Sequence, residues 1–327
     1  MRPADQQERS PTGPAEDLSP EELPWIRPSL FESFVKRPIR KFLYTPYTIL
    51  ASRVIALRYA SQPQFPVDLW FWGQRGNDFE AHRRRLNKFA RLRNTQILVA
   101  GCGAGRDLIS WLPYAPRLVV GIDYLNYERA WNQSIEYYRS RYPESSVRFM
   151  QGNLQSLDAF EDEKFDVIGS DAVFEHITNF PAVVSEFIRL LRPGGFLYAT
   201  FGPLWHCWQG DHYSGWDDLS NGYNHLIMDQ SSYQQYLGPE KREDHPELEE
   251  GRMWSKYGLF SHLRAIDYVK TLSDGGLQPQ FTAVVIETKG ARCLRQFKYL
   301  REKLLAVHKE LDLLIASMTV IYRKPVE

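Results

Sequence analysis

The chain has 327 residues, with 40 lysines and arginines against 40 aspartates and glutamates, so its formal net charge is zero. That balance singles out no polyanionic partner, and no apolar run is long enough to span a bilayer. Three cysteines, Cys102, Cys207 and Cys293, form neither a metal-spaced pair nor an even disulfide set, and the opening residues lack a signal-peptide layout, so a reduced, cytoplasmic setting is expected.

Residues 1–24 are rich in Pro, Glu, Ser and Gln and are expected to be a disordered tail, because they carry too little apolar surface to offset their ordering entropy. Residues 25–94 read as a basic helical extension. From Lys36 to Arg93, thirteen basic residues stand against three acidic ones. Leu43, Tyr47, Leu50, Val54 and Leu57 recur there at helical spacing. The segment 36–58 is read as a lid over a ligand site, with a peripheral membrane contact as the second reading. Trp70, Phe71, Trp72 and Gly73 are then expected to line the cleft. A second helix is expected over "DFEAHRRRLNKFARL", with the arginine triple at 83–85 as a solvated face.

From Gln96 the pattern alternates. "QILVAG", "RLVVGID", "VRFMQGN", "FDVIGSD" and "FLYATF" read as strands, with "RDLISWL", "YERAWNQSIEYYRSRY" and "FPAVVSEFIRLL" as helices among them. Strand–helix alternation with strands that are apolar almost throughout argues a parallel sheet covered on both faces. After an irregular stretch come a helix in "SHLRAIDYVKTLSDGG" and strands in "FTAVVIET" and "ASMTVIYRKP". Between those two strands, Phe297, Leu300, Leu304, Val307, Leu311 and Leu314 form one stripe at helical spacing. That predicts a helical insertion over 291–315, packed on the parent sheet or on a second copy in a homodimer. The expected fold is therefore α/β: a Rossmann-like, doubly wound, mostly parallel seven-stranded sheet with helices on both faces and an N-terminal helical extension.

The stretch "LVAGCGAGRD" places Gly101, Gly103 and Gly105 between a strand and a helical segment. Glycine lets a ligand approach the backbone, and a helix start offers free N–H groups. The loop lacks the terminal Gly-Lys-Ser/Thr of a phosphate-cradling loop, and Arg106 stands where a dinucleotide loop needs its last glycine. What stands is G-x-G-x-G. Together with "VVGIDY", "VRFMQGNLQSL", "FDVIGSDAVFEHI" and "LLRPGGFLYATF", in that order, it resembles the class I S-adenosylmethionine-dependent methyltransferases. The resemblance is close over residues 90–202 and loose beyond, and it implies a methyltransferase domain over 95–327.

The resemblance implies S-adenosyl-L-methionine as cofactor, held by Gly101, Cys102, Gly103, Gly105, Asp107, Asp123, Tyr124, Asn153, Leu154, Asp171 and Ala172. Asp123 would accept from the ribose hydroxyls, and Asn153 with the Leu154 N–H would read the adenine. Ala100 stands where many members carry an acid, so the methionine ammonium is left to backbone carbonyls of the glycine loop, or to Asp107 or Asp171. Asp171 reads equally well as a helix cap. Glu175 and His176 form a pair frequent in the family, read here as structural.

An acceptor-loop insertion is expected over 201–260. Its first part, residues 201–225, crowds His206, Asp211 and His212 among Trp205, Trp208, Tyr213 and Trp216. A hydroxyl acceptor must lose a proton, which an imidazole can take at neutral pH. His206 and His212 are therefore the candidate bases, with Asp211 to orient them or help hold a cation. No metal site is expected. The reading is O-methylation of a small-molecule acceptor, a sugar or secondary metabolite. The alternatives are an N-methyltransferase and a non-catalytic S-adenosylmethionine-binding scaffold or regulatory subunit. Nucleic acid is disfavoured as acceptor, since no recognition module appears and the acidic remainder cancels the basic segment.

Overall fold

The computed structural model describes residues 79–238, 254–256 and 258–326, together with Trp70, Phe71 and the single helical positions Pro46, Leu50 and Val54. The expected tail and most of the 36–58 segment lie outside the described residues. Leu50 and Val54, the described members of its stripe, are exposed rather than packed against the domain.

Eight strands form one sheet. They are β1 (Trp70–Phe71), β2 (Gln96–Ala100), β3 (Leu118–Asp123), β4 (Ser146–Gln151), β5 (Phe165–Asp171), β6 (Leu191–Phe201), β7 (Gln278–Ile286) and β8 (Ile315–Arg323), in the order β1-β7-β8-β6-β5-β2-β3-β4. Only β8 runs against its neighbours β6 and β7; the other pairings are parallel. The seven strands expected are all present, and β1 adds a short eighth at the edge. Trp70 and Phe71 pair there with Ala283 and Val284. They are thus edge-strand residues on β7, while Trp72 and Gly73 lie outside the described residues.

Side chains that alternate along a strand supply both faces of the sheet. Leu98 and Ala100 of β2 join Val120 and Ile122 of β3 in one core, packed by Phe180, Val184 and Phe187 of α3 (Phe180–Leu190) and Tyr268 and Leu272 of α6 (Ala265–Asp274). Ile97, Val99 and Val119 face the other way, onto Leu86 of α1 (Phe79–Ala90) and Trp131 and Tyr138 of α2 (Glu128–Arg141). Both layers are therefore filled, as a parallel sheet requires. Among the described residues, no helix is long and apolar enough to cross a membrane.

Three local expectations change. "RDLISWL" forms no α-helix but two tight 3₁₀ turns, Arg106–Ser110 and Leu112–Tyr114, since Pro113 in the second turn lacks an N–H and denies a longer helix its ladder. The 291–315 stripe lies on three short helices rather than one: α7 (Thr288–Gln296), α8 (Lys298–Leu305) and α9 (Glu310–Leu314). Leu300, Leu304, Leu311 and Leu314 are buried, but Val307 falls in the break before α9 and is exposed. Finally, the arginine triple is not a solvated face, because Arg83 is fully buried. Among the described residues, the insertion after β6 includes the helices α4 (Asn224–Ile227) and α5 (Gln230–Leu237).

Candidate active site

The sheet reverses its winding between β2 and β5, and ligands of open parallel sheets bind at the carboxyl ends of strands at such a switch point. The glycine loop sits there. Gly101, Gly103 and Gly105 all take positive φ, at 72°, 50° and 93°. Their surroundings separate their roles. A Cβ on Gly101 would stand 2.2 Å from Val173 Cγ2, and one on Gly105 would stand 2.6 Å from the Phe149 ring. Those two glycines are demanded by packing as well as by backbone. A Cβ on Gly103 would meet nothing within 4 Å, so only this glycine keeps its backbone bare towards open space.

The loop is held from three sides. The Gly101 and Cys102 N–H groups both donate to the Ile122 carbonyl, at 2.8 and 2.9 Å. From α2, Trp131 Nε1 donates to Gly103 O at 2.7 Å and the Tyr138 hydroxyl donates to Gly105 O at 2.9 Å. Trp131 is itself braced by stacking on Phe149, with ring planes 3° apart. The sequence reading missed both aromatic props. Their spacing on one helix face gives only the ordinary signal of a core stripe.

Asp123, ending β3, accepts from the Gly103 N–H at 2.7 Å and from the Leu125 N–H at 3.0 Å. Each carboxylate oxygen therefore keeps a lone pair for a further donor. Tyr124 beside it is 71% exposed. Asn153 stands just past β4, its side-chain oxygen accepting from the Gln155 N–H at 3.0 Å, and Leu154 follows half-buried. The arrangement fits an adenosyl group: a bare left-handed backbone, an acid tied to it, and an amide on the next strand.

Asp171 is differently employed. Its carboxylate pairs with the fully buried Arg83 guanidinium and accepts from the Tyr198 hydroxyl at 2.8 Å. Arg83 also lies flat over Trp111, 3.6 Å from the ring centroid, and donates to Ser110 Oγ at 3.2 Å. Asp171 is thus neither a helix cap nor a free anion, but the inner end of an ion pair joining α1 to the end of β5. Ala172, next to it, takes φ 57° and donates its N–H to the Thr200 carbonyl. Asp107 is the remaining acid, with Oδ1 3.6 Å from Arg106 Nε. Burial and the nearby Asp171 push its carboxyl up.

The 201–225 stretch is a packed subcore rather than an open aromatic pocket. Trp208 is buried, donates to the Leu219 carbonyl at 2.9 Å and fills the space that side chains on Gly215 and Gly222 would need. Asp211 is also buried. It accepts from the Tyr213 and Ser214 N–H groups and from the Ser214 and Tyr233 hydroxyls, so it organises the loop, and its Oδ1 lies 3.7 Å from Nδ1 of the buried His225. The two candidate bases lie in separate settings. His206 Nε2 donates to the His262 carbonyl at 3.1 Å, and burial lowers its imidazole to about 4. His212 packs instead on His176 and Phe260, where burial, with His176 next, lowers it to about 3. Both rings are therefore unprotonated at neutral pH, but weakly basic in this setting.

His212 meets the pair read as structural. Ligand atoms of Glu175, His176 and His212 all lie within 4.8 Å of one another. Spacing along the chain could not announce this group, because Glu175 and His176 follow β5 while His212 follows β6.

The fold and the glycine loop define the class I methyltransferase architecture. Residues 98–199 match the family described as "Methyltransferase domain", so the chain carries a domain of the class I S-adenosylmethionine-dependent methyltransferase family. Three curated relatives are similar over part of their length. A probable S-adenosylmethionine-dependent methyltransferase of Mycolicibacterium smegmatis is 38% identical over 126 residues, 37% of this chain and 44% of that protein. An arsenite methyltransferase of Aquipseudomonas alcaligenes is 35% identical over 114 residues, 33% of each chain. A fatty-acid O-methyltransferase of Mycolicibacterium smegmatis is 32% identical over 111 residues, 33% of this chain and 38% of that protein. The chain thus spans between a third and a half of the length of these relatives.

Proposed function

We propose that the protein transfers the methyl group of S-adenosylmethionine to an oxygen of a small-molecule acceptor of sugar or secondary-metabolite type. The observation that carries the cofactor part is the open, left-handed Gly103 with its N–H bound to Asp123 at the switch point. In this reading the glycine loop lies along the cofactor, and the free lone pairs of Asp123 take the ribose hydroxyls. Asn153 and the Leu154 N–H face the adenine. Asp107 is the acid for the methionine ammonium, because Ala100 has no charge and Asp171 is bound to Arg83. The cofactor supplies an electrophilic methyl; the protein's part is chiefly to align the acceptor oxygen with it and exclude water.

His206 and His212 lie in the loop that follows β6, beyond the carboxyl ends of β5 and β6. A neutral imidazole there can accept the acceptor's proton. The fatty-acid O-methyltransferase relative supports an oxygen acceptor. The arsenite relative does not carry over as easily. Arsenic(III) is a soft centre that calls for thiolates. Here Cys102, Cys207 and Cys293 are all buried, with their thiols pushed up by burial.

The test is calorimetry with S-adenosylmethionine, followed by a screen of sugars, hydroxylated metabolites, fatty acids and arsenite for S-adenosylhomocysteine formation. Asp123→Ala should weaken cofactor binding about ten- to a hundredfold, the worth of a hydrogen bond to a charged group. Wild-type affinity in that variant would remove the cofactor assignment.

A further inference from the structure

We propose that Glu175, His176 and His212 form a binding site for one divalent zinc-type ion at the carboxyl ends of β5 and β6. Their ligand atoms lie within 4.8 Å of one another, so small side-chain rotations bring all three onto a common centre. Two of those side chains hold a buried polar atom with no partner: Glu175 Oε2 and His212 Nε2. Native interiors leave few such groups unsatisfied, and a site for an ion is one of the standard reasons when they do.

The surroundings hold the donors in a ligating form. His176 Nδ1 sits 2.9 Å from the Leu259 carbonyl. A carbonyl can only accept, so the proton is on Nδ1 and the lone pair on Nε2. His212 has Nε2 as its buried, unpartnered ring nitrogen. Metal-bound histidines characteristically donate their second N–H to such an outer partner, which fixes the tautomer and the ring direction. The Glu175 carboxylate is oriented by the Gly202 N–H, which donates to Oε1 at 2.9 Å and leaves Oε2 as the outward atom. Trp254 stacks on His176 with centroids 4.4 Å apart, and Phe260 contacts both imidazoles, so the site has an apolar wall.

Two imidazoles and a carboxylate suit zinc, whereas magnesium prefers an all-oxygen shell. Three protein ligands leave a coordination position for water or an acceptor oxygen, whose proton the ion makes easier to lose.

The inference is tested without reference to methyl transfer. Chelator-treated protein is titrated with zinc and, separately, with magnesium by calorimetry, and thermal melts follow each addition. Cobalt is used as a visible-band reporter. Expected are one zinc per chain, a zinc-dependent rise in Tm, cobalt bands of low coordination number and no magnesium binding. Glu175→Gln and His212→Ala should each weaken zinc by more than the roughly 10–100-fold that loss of an outer partner costs. His206→Ala, in the same loop but outside the set, should leave zinc affinity unchanged. Zinc binding absent from the wild type, or equal in all three folded variants, would overturn the site. In that case the group is a proton-sharing Glu–His cluster. Failure to bind S-adenosylmethionine would bear on the proposed function alone.

Discussion

Replacing Arg83 by Met tests whether the N-terminal helix α1 is tied to the switch point through charge. Arg83 is fully buried between Trp111 and Tyr198, and its guanidinium is the partner of the buried Asp171 carboxylate. Methionine keeps most of the apolar stem against Trp111 but leaves Asp171 with only the Tyr198 hydroxyl. Breaking a buried pair from one side costs about 3–5 kcal/mol, because the remaining charge stays desolvated. Loss of the contact with Trp111 adds about 0.5–2 kcal/mol. Asp171→Asn should be costly for the same reason, since it strands the guanidinium. The double variant strands no charge and should fall short of the sum of the two single losses by about 2–3 kcal/mol, the coupling read by the cycle. Urea denaturation followed by circular dichroism reads all four proteins. Single variants within about 1 kcal/mol of wild type, or strict additivity, would refute the buried-pair argument.

The two kinds of glycine should respond differently. Gly101→Ala meets Val173 at 2.2 Å in a left-handed conformation and should lower the urea midpoint clearly. Gly103→Ala meets only the left-handed cost of about 1–2 kcal/mol, and its main effect should be on S-adenosylmethionine affinity by calorimetry. Equal affinity in Gly103→Ala and wild type would count against a ligand passing that backbone. If His206 is the base, His206→Ala should spare cofactor affinity and lower turnover of a native acceptor by about 10²–10⁴-fold. In its present setting the acid limb of the rate profile should fall near pH 4, not near the ordinary imidazole range. The same depressed value links to stability. The group costs nothing above its unfolded pKa of 6.5, and stability is lost as pH falls from there towards about 4. At pH 5 the loss is about 2 kcal/mol, and His206→Gln should remove that part of the acid slope in melts taken from pH 7 to 5.

Much of the fold was legible because its signals are local. β2, β3 and β5 are buried on both faces, so their central residues are mostly apolar, and the glycines at 101, 103 and 105 mark left-handed backbone. What escaped depends on distant contacts. Nothing in "RRR" distinguishes Arg83 from its neighbours until the chain brings Asp171 and Tyr198 to it. The same holds for His212, whose companions stand on a different loop. Asp211 is a related case: its Oδ2 accepts from the Ser214 and Tyr233 hydroxyls, and the histidine nearest its Oδ1 is His225, at 3.7 Å, which the spacing of the loop did not single out. The stripe in the final insertion has helical spacing over its whole length, but spacing does not register the break that exposes Val307. Of the candidate site, the cofactor half was readable as a motif. The half after β5 and β6 became visible only as geometry.

The position of β1 has a consequence for the order of assembly. Its two residues pair with β7, which in turn lies against β8, near the end of the chain. Among the described strands, the first to leave the ribosome therefore has no mate until about two hundred further residues have emerged. Contacts of such separation close late, after the loop entropy between them has been met. Until then β7's outer edge, once formed, is an open template for strands of other molecules. A chain that starts at Phe79 should accordingly retain the glycine loop, yet be recovered in lower soluble yield than the full-length protein.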